Sequence, residues 1–153
     1  MIDHESLAAM ERMRQDPEVR RVDPLCPDRF ALMYEDGSAL LVNKNGDIIK
    51  SPLSKYDVVT NIQYLGTLEG KPHFAFEGRD YANLRWVDTV MFDSEGHQKM
   101  FRDPKTAGIE GMDYVKWEFE RLEKIANDPS NPHRNDPMLV DLDEPKQSLG
   151  ISR

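Results

Sequence analysis

Apolar and polar positions along this chain fall into a turn-punctuated centre flanked by two stretches of helical spacing. Between Phe30 and Phe101, short apolar runs are cut by Glu35-Asp36-Gly37, Lys44-Asn45-Gly46-Asp47, Leu68-Glu69-Gly70-Lys71-Pro72 and Asp93-Ser94-Glu95-Gly96. Glycine at such points supplies the positive φ of tight hairpins, so the pattern predicts an antiparallel β-meander. The expected strands are 29–35, 38–43 and 47–50, a long one over 56–68, its partner 73–77, and a hairpin of 85–93 with 97–102. Val58, Val59, Ile62, Tyr64 and Leu65 give the long strand its apolar content. Gly66 inside it marks a bulge or a close backbone approach. Phe74 and Phe76 share one face at period two.

Ahead of the meander, Asp3 is placed to cap a helix over 3–15, with Glu5 at its positive end and Leu7, Met10 and Met13 or Arg14 at helical spacing. Asp16-Pro17 closes it. Residues 17–28 contain Pro17, Pro24 and Pro27 and read as a second short helical turn followed by an irregular link. After the meander, Asp103-Pro104 is a favourable cap and first-turn pair, and the firm part of a helix spans 112–126. Its apolar stripe is Met112, Val115, Phe119, Leu122 and Ala126, widened by Tyr114 and Trp117. Lys116, Glu118, Glu120, Arg121, Glu123 and Lys124 are expected to face water.

Beyond Asn127 the composition shifts. Pro129, Pro132, Pro137 and Pro145 oppose regular structure. Inside this tail lies the apolar pentad Met138-Leu139-Val140-Asp141-Leu142, which either packs back on its own sheet edge or is a strand offered to a partner. The expected architecture is α+β: a mainly antiparallel β-meander sheet with an N-terminal helix and a packed C-terminal helix, followed by an extended tail. One domain covers 1–127, and 128–153 is a Pro-rich acidic tail.

Composition narrows the function classes. The net charge of −8 over 153 residues argues against direct nucleic-acid binding, which needs a basic stripe, and fits a partner with a basic surface. Cys26 is alone, so neither an intrachain disulfide nor a cysteine-based zinc site forms, and no nearby histidine activates it as a nucleophile. The first residues carry no signal-peptide pattern, and no apolar run has membrane-spanning length. A cytoplasmic protein of bacterial or phage type, without a membrane partner, is the expectation.

Catalytic and metal patterns are missing. His4, His73, His97 and His133 show no ligand spacing, and His73 and His97 read as turn or surface residues. No nucleophile elbow, phosphate loop or dinucleotide fingerprint occurs. Glu77, Asp80, Asp88 and Asp93 sit in or beside strands and read as solvated edge charges. No catalytic residue, metal site or cofactor is expected.

Tyr64-Leu65-Gly66-Thr67-Leu68-Glu69-Gly70-Lys71-Pro72-His73-Phe74-Ala75, followed by Tyr81-Ala82-Asn83-Leu84-Arg85 and Val115-Lys116-Trp117, resembles elements of the non-catalytic N-terminal domain of Nudix-superfamily NADH pyrophosphatases. The zinc ribbon and Nudix box of that family are absent, and Glu118-Phe119-Glu120-Arg121-Leu122-Glu123 is only a charged helix face. The resemblance therefore implies a scaffold domain without the family's activity.

These readings converge on a non-catalytic protein-interaction module: a small acidic inhibitor, immunity or regulatory protein. Large rigid side chains dominate interface energy, which singles out Tyr81, Trp86, Trp117 and the tail residues Met138, Leu139, Val140 and Leu142 as partner-binding candidates. One alternative is a small hydrolase or nucleotide-binding enzyme with an anion site at Arg79 and Arg85. Another is a structural subunit of a phage or secretion assembly, and self-association stays open.

Overall fold

The structure, a computed structural model, describes residues 3–101, 110–130 and 139–141. The Ser6 amide donates to the Asp3 carboxylate at 2.7 Å, satisfying one of the orphan donors that open a helix, and α1 runs His4–Met13. Four strands follow: β1 (Val19–Cys26), β2 (Arg29–Tyr34), β3 (Ala39–Val42) and β4 (Ile48–Ile49). They form one antiparallel sheet in chain order. A 3-10 turn at Pro52–Lys55 then carries the chain into a second sheet. That sheet comprises β5 (Val58–Leu68), β6 (Lys71–Asp80), β7 (Arg85–Asp93), β8 (Gln98–Phe101) and, from the tail, β9 (Leu139–Asp141). Helix α2 (Gly111–Asn127) comes between β8 and β9 in sequence.

Strand alternation builds the layers. In β2, Phe30 packs with Val22 and Val42 against Ala9 and Met10 of α1. Its neighbours Ala31 and Met33 turn the other way and join Ala39 and Leu41 against Phe74, Phe76, Val90 and Phe92 of the second sheet. On the far face of that sheet, Ala75 and Met91 meet Met112, Val115 and Phe119 of α2. The order through the molecule is therefore helix, sheet, sheet, helix. Phe30, Phe74, Phe76 and Phe92 are fully buried, and each contributes roughly 2 kcal/mol of transfer free energy.

The α+β architecture with its antiparallel meander and two flanking helices is what the pattern predicts, with several differences. The meander is split into two stacked sheets, because the proline turn at residue 52 redirects the chain. Residues 19–26, read as a helical turn and link, are β1. An edge strand tolerates Pro24, since its missing N–H removes no ladder bond there, and only Val22 of β1 is fully buried. In α1 the buried face is Ser6, Ala9 and Met10, leaving Leu7 exposed. In α2, Glu118 is buried rather than in water, with its Oε1 accepting from the Arg121 guanidinium at 2.7 Å. The Asp103-Pro104 cap lies outside the described residues. Gly66 does sit at a register shift of β5, at φ 143, where a β-carbon would press on the Phe119 ring at 3.0 Å.

Candidate interaction surface

The β6–β7 hairpin ends in a four-residue turn, 81–84, between Asp80 and Arg85. A register shift precedes it, so Arg79 alone stands opposite Trp86 and Val87. Such a bulge twists the ribbon and re-aims the side chains beyond it. At this tip Leu84 is 72% exposed, Trp86 61%, Val87 56% and Tyr81 45%. The Tyr81 and Trp86 rings meet edge to face, 5.7 Å apart.

Beneath the apolar tip lies a polar frame. Asp80 is buried, and its Oδ2 accepts from Arg85 at 2.8 Å and from the Asn83 side-chain amide at 2.7 Å, while Oδ1 accepts from the Asn83 backbone N–H. These bonds, from Arg85 first and Asn83 second, hold the Asp80 carboxyl below the usual carboxylate range. Arg85 also pairs with Asp88 at 3.4 Å and lies 5.5 Å over the Tyr56 ring, whose hydroxyl donates to Asp88 at 3.2 Å. Its bond to Asp80 raises the guanidinium pKa further. Asp57 completes the frame by accepting from the Tyr81 N–H at 2.9 Å. With its ends fixed, the turn places Leu84 at φ 57. Left-handed backbone is costly for a residue with a branched apolar side chain and normally falls to Gly or Asn.

The candidate residues separate in space. Tyr81 and Trp86 come together at the tip, joined by Leu84 and Val87, which the sequence reading missed. Trp117 belongs elsewhere: α2 starts with Gly111 near Thr89 and brings Phe119 over His73, so it runs away from the tip. There Trp117 is exposed, packed on Tyr114 with Arg121 5.5 Å from its ring centre. Leu139 and Val140 lie in β9, paired with Phe101 and Met100, so this part of the pentad is on the chain's own sheet edge. Met138 and Leu142 lie outside the described residues. Arg79 is exposed and Arg85 is bound into the frame, so the two guanidiniums occupy different environments rather than one anion cradle.

The acids also correct the solvated-edge reading, because Asp80 and Asp93 are buried. They lie at opposite ends of β6 and β7, so they do not converge. Asp93 accepts backbone N–H bonds from Glu95 at 2.9 Å and His97 at 3.0 Å. Burial pushes its carboxyl up, but those bonds together with the His97 and Lys99 charges bring it below the ordinary value. His73 is likewise buried, not a turn residue. Its Nδ1 is 2.8 Å from the Lys71 carbonyl, its ring faces Phe119, and burial pushes its pKa down. A cleft of about 310 Å³ between α1, the β1–β2 end and β5 is lined by Leu25, Cys26, Phe30 and Tyr64, and burial raises the Cys26 thiol. Among the described residues no His, Cys, Asp and Glu side chains gather to hold a metal, and no helix is long and apolar enough to cross a membrane.

No family model, curated protein or solved structure matches the chain.

Proposed function

We propose that this chain is a non-catalytic protein-interaction module, an inhibitor, immunity or regulatory protein, whose β6–β7 tip docks on a macromolecular partner with a basic surface. The single observation carrying this reading is Leu84, held at φ 57 with most of its side chain in water. A fold optimised for stability alone gains nothing from a leucine there, and strain kept at an exposed site points to use. Trp86, Val87 and Tyr81 extend the same apolar surface, and large rigid side chains above a fixed frame lose little entropy on docking. The net charge of −8 favours a basic partner over phosphate-bearing surfaces.

The test is site-specific photo-cross-linking of the full chain in lysate of the source cells. A photoreactive residue at Leu84 is expected to yield one dominant protein adduct, lost in Trp86→Ala and reduced by added salt. The same residue at Leu7, another exposed apolar position, is expected to yield none. Equal adducts from both positions would overturn the assignment of the tip.

A further inference from the structure

We infer that the occupant of the hairpin tip is a protein segment carrying apolar side chains beside a run of lysine or arginine. Its apolar part seats on Leu84 and Trp86, and its basic part faces the acids of the neighbouring β2–β3 turn. This rests on the docking reading of the tip, and adds the charge of the partner segment and the side on which that charge lies.

The β2–β3 turn, 35–38, reaches from the first sheet across to the start of β5. The Val59 N–H donates to the Gly37 carbonyl at 2.9 Å, and a β-carbon on Gly37 would lie 3.2 Å from the Val58 side chain. One residue back, Asp57 accepts from the Tyr81 N–H of the tip and donates its own N–H to the Arg79 carbonyl, both at 2.9 Å. Turn and tip are therefore neighbours at one end of the molecule, bridged by Asp57 and Val58.

Acid gathers on the turn side. The Glu35 N–H donates to the Glu18 carbonyl and the Glu18 N–H to the Asp16 carboxylate, each at 2.9 Å. Asp16, Glu18, Glu35 and Asp36 thus lie together, all exposed, and exposed Asp57 joins them. Their field reaches Tyr34, whose hydroxyl is pushed up by burial first and by the Asp16 and Glu18 charges after it. Of the cations at this end, Lys55 donates to Gln98 at 3.5 Å and Arg85 is bound to Asp80 and Asp88. That leaves the exposed guanidiniums of Arg20 and Arg79 against these acids. Asp36 is engaged in its own turn, accepting from the Ser38 hydroxyl at 2.6 Å, whereas the Glu18 and Glu35 carboxylates pair with no cation among the described residues.

An apolar surface beside an acidic one selects its occupant. The apolar side chains of the tip gain about 25 cal/mol for each Å² they remove from water, whatever apolar group covers them. The acids then discriminate. A segment bringing carboxylate or phosphate next to the turn meets like charge, which disfavours anionic lipid headgroups and nucleic acids as well as acidic proteins. A lysine or arginine opposite Glu18 or Glu35 gains a partner without displacing one.

The experiment selects random dodecapeptides displayed on phage against the full-length protein, with counter-selection on Leu84→Ala/Trp86→Ala. That variant keeps the fold, since both side chains lie mostly in water. Surviving peptides are expected to carry lysine or arginine next to apolar residues. Neutral or acidic survivors would overturn this inference and leave the tip a docking site, whereas no survivors would overturn the docking reading and this inference with it. A surviving peptide is then made fluorescent and titrated by anisotropy. Glu18→Gln/Glu35→Gln is expected to weaken its binding about fivefold at low salt and to flatten the salt dependence. Glu69→Gln/Glu120→Gln removes the same charge from exposed positions elsewhere and is expected to change neither. Equal losses from the two pairs would mean that net charge alone acts, and would overturn the assignment to the turn. A native protein that sediments as a dimer dispersed by Trp86→Ala would place a second copy on the tip and overturn it as well.

Discussion

Gly96 lies against the carbonyl of Lys50, so close that a β-carbon on it would overlap the oxygen. The β7–β8 turn is thereby pressed onto the segment linking the two sheets, and Arg29 reinforces the contact by donating to the Ser94 carbonyl at 2.6 Å. Gly96→Ala has no flexible side chain to push aside; backbone must move, and φ 86 is strained for alanine as well. A loss of about 3 kcal/mol in urea unfolding is expected. Gly46→Ala has a similar φ of 83 but open space around it, and should lose only about 1 kcal/mol.

Asp80 is the centre of the frame under the tip. Asp80→Asn keeps the shape but has one acceptor oxygen in place of two, so it cannot serve Arg85 and the Asn83 side chain with one oxygen and the Asn83 backbone N–H with the other, and it loses the charge that pairs with Arg85. A lowered thermal midpoint is expected, together with a fall in Trp86 fluorescence anisotropy (measured in a Trp117→Phe background), since the turn loses its fixed ends. Unchanged Trp86 mobility would show that the frame does not set the tip.

Leu84→Asn tests whether strain is kept for docking. Asparagine tolerates the left-handed region, so stability is expected to rise by up to about 1 kcal/mol. Cross-linking from a probe at Val87 to the partner is expected to fall in the same variant. Stability and binding moving together would contradict the assignment.

The pH dependence has two windows. His73 has its pKa lowered in the fold, so the unfolded chain binds the proton more readily. Its contribution to stability is complete above the unfolded value, near 6.5, and declines as pH falls below it. Asp93 and Asp80 have lowered carboxyl pKa values, so their contributions hold above about 4 and fall away as pH drops further, through the folded values. His73→Asn should flatten the decline between neutrality and pH near 5 and leave the acid limb intact. Urea midpoints across pH measure both.

The β2–β3, β3–β4, β5–β6 and β7–β8 hairpins were legible because their turns carry Gly beside Asn, Asp or Glu, whereas the β6–β7 turn Tyr81-Ala82-Asn83-Leu84 has no glycine; the α2 stripe was legible because four-three spacing leaves little choice. The split into two sheets was not, since Pro52 looks like any loop proline until the chain it redirects is seen. β1 was hidden by Pro24, which means strand only at an edge. Of the site, Tyr81 and Trp86 were readable as large side chains in a polar run. Leu84 was not, because nothing local announces that a leucine is held left-handed. Asp80 and Asp93 resembled ordinary surface acids because their partners Asn83, Arg85 and His97 are also polar, and only coordinates tell a buried network from a wet one.

Each sheet is drawn from an unbroken stretch of chain, the first ending at Ile49 and the second, β9 aside, beginning at Val58. During synthesis the inward side of the first sheet, with Ala31, Met33, Ala39 and Leu41, therefore waits uncovered until the aromatic residues of β6 and β7 have emerged. A ribosome pausing within that interval leaves a greasy half-sandwich, so the molecule is most vulnerable to aggregation when half made.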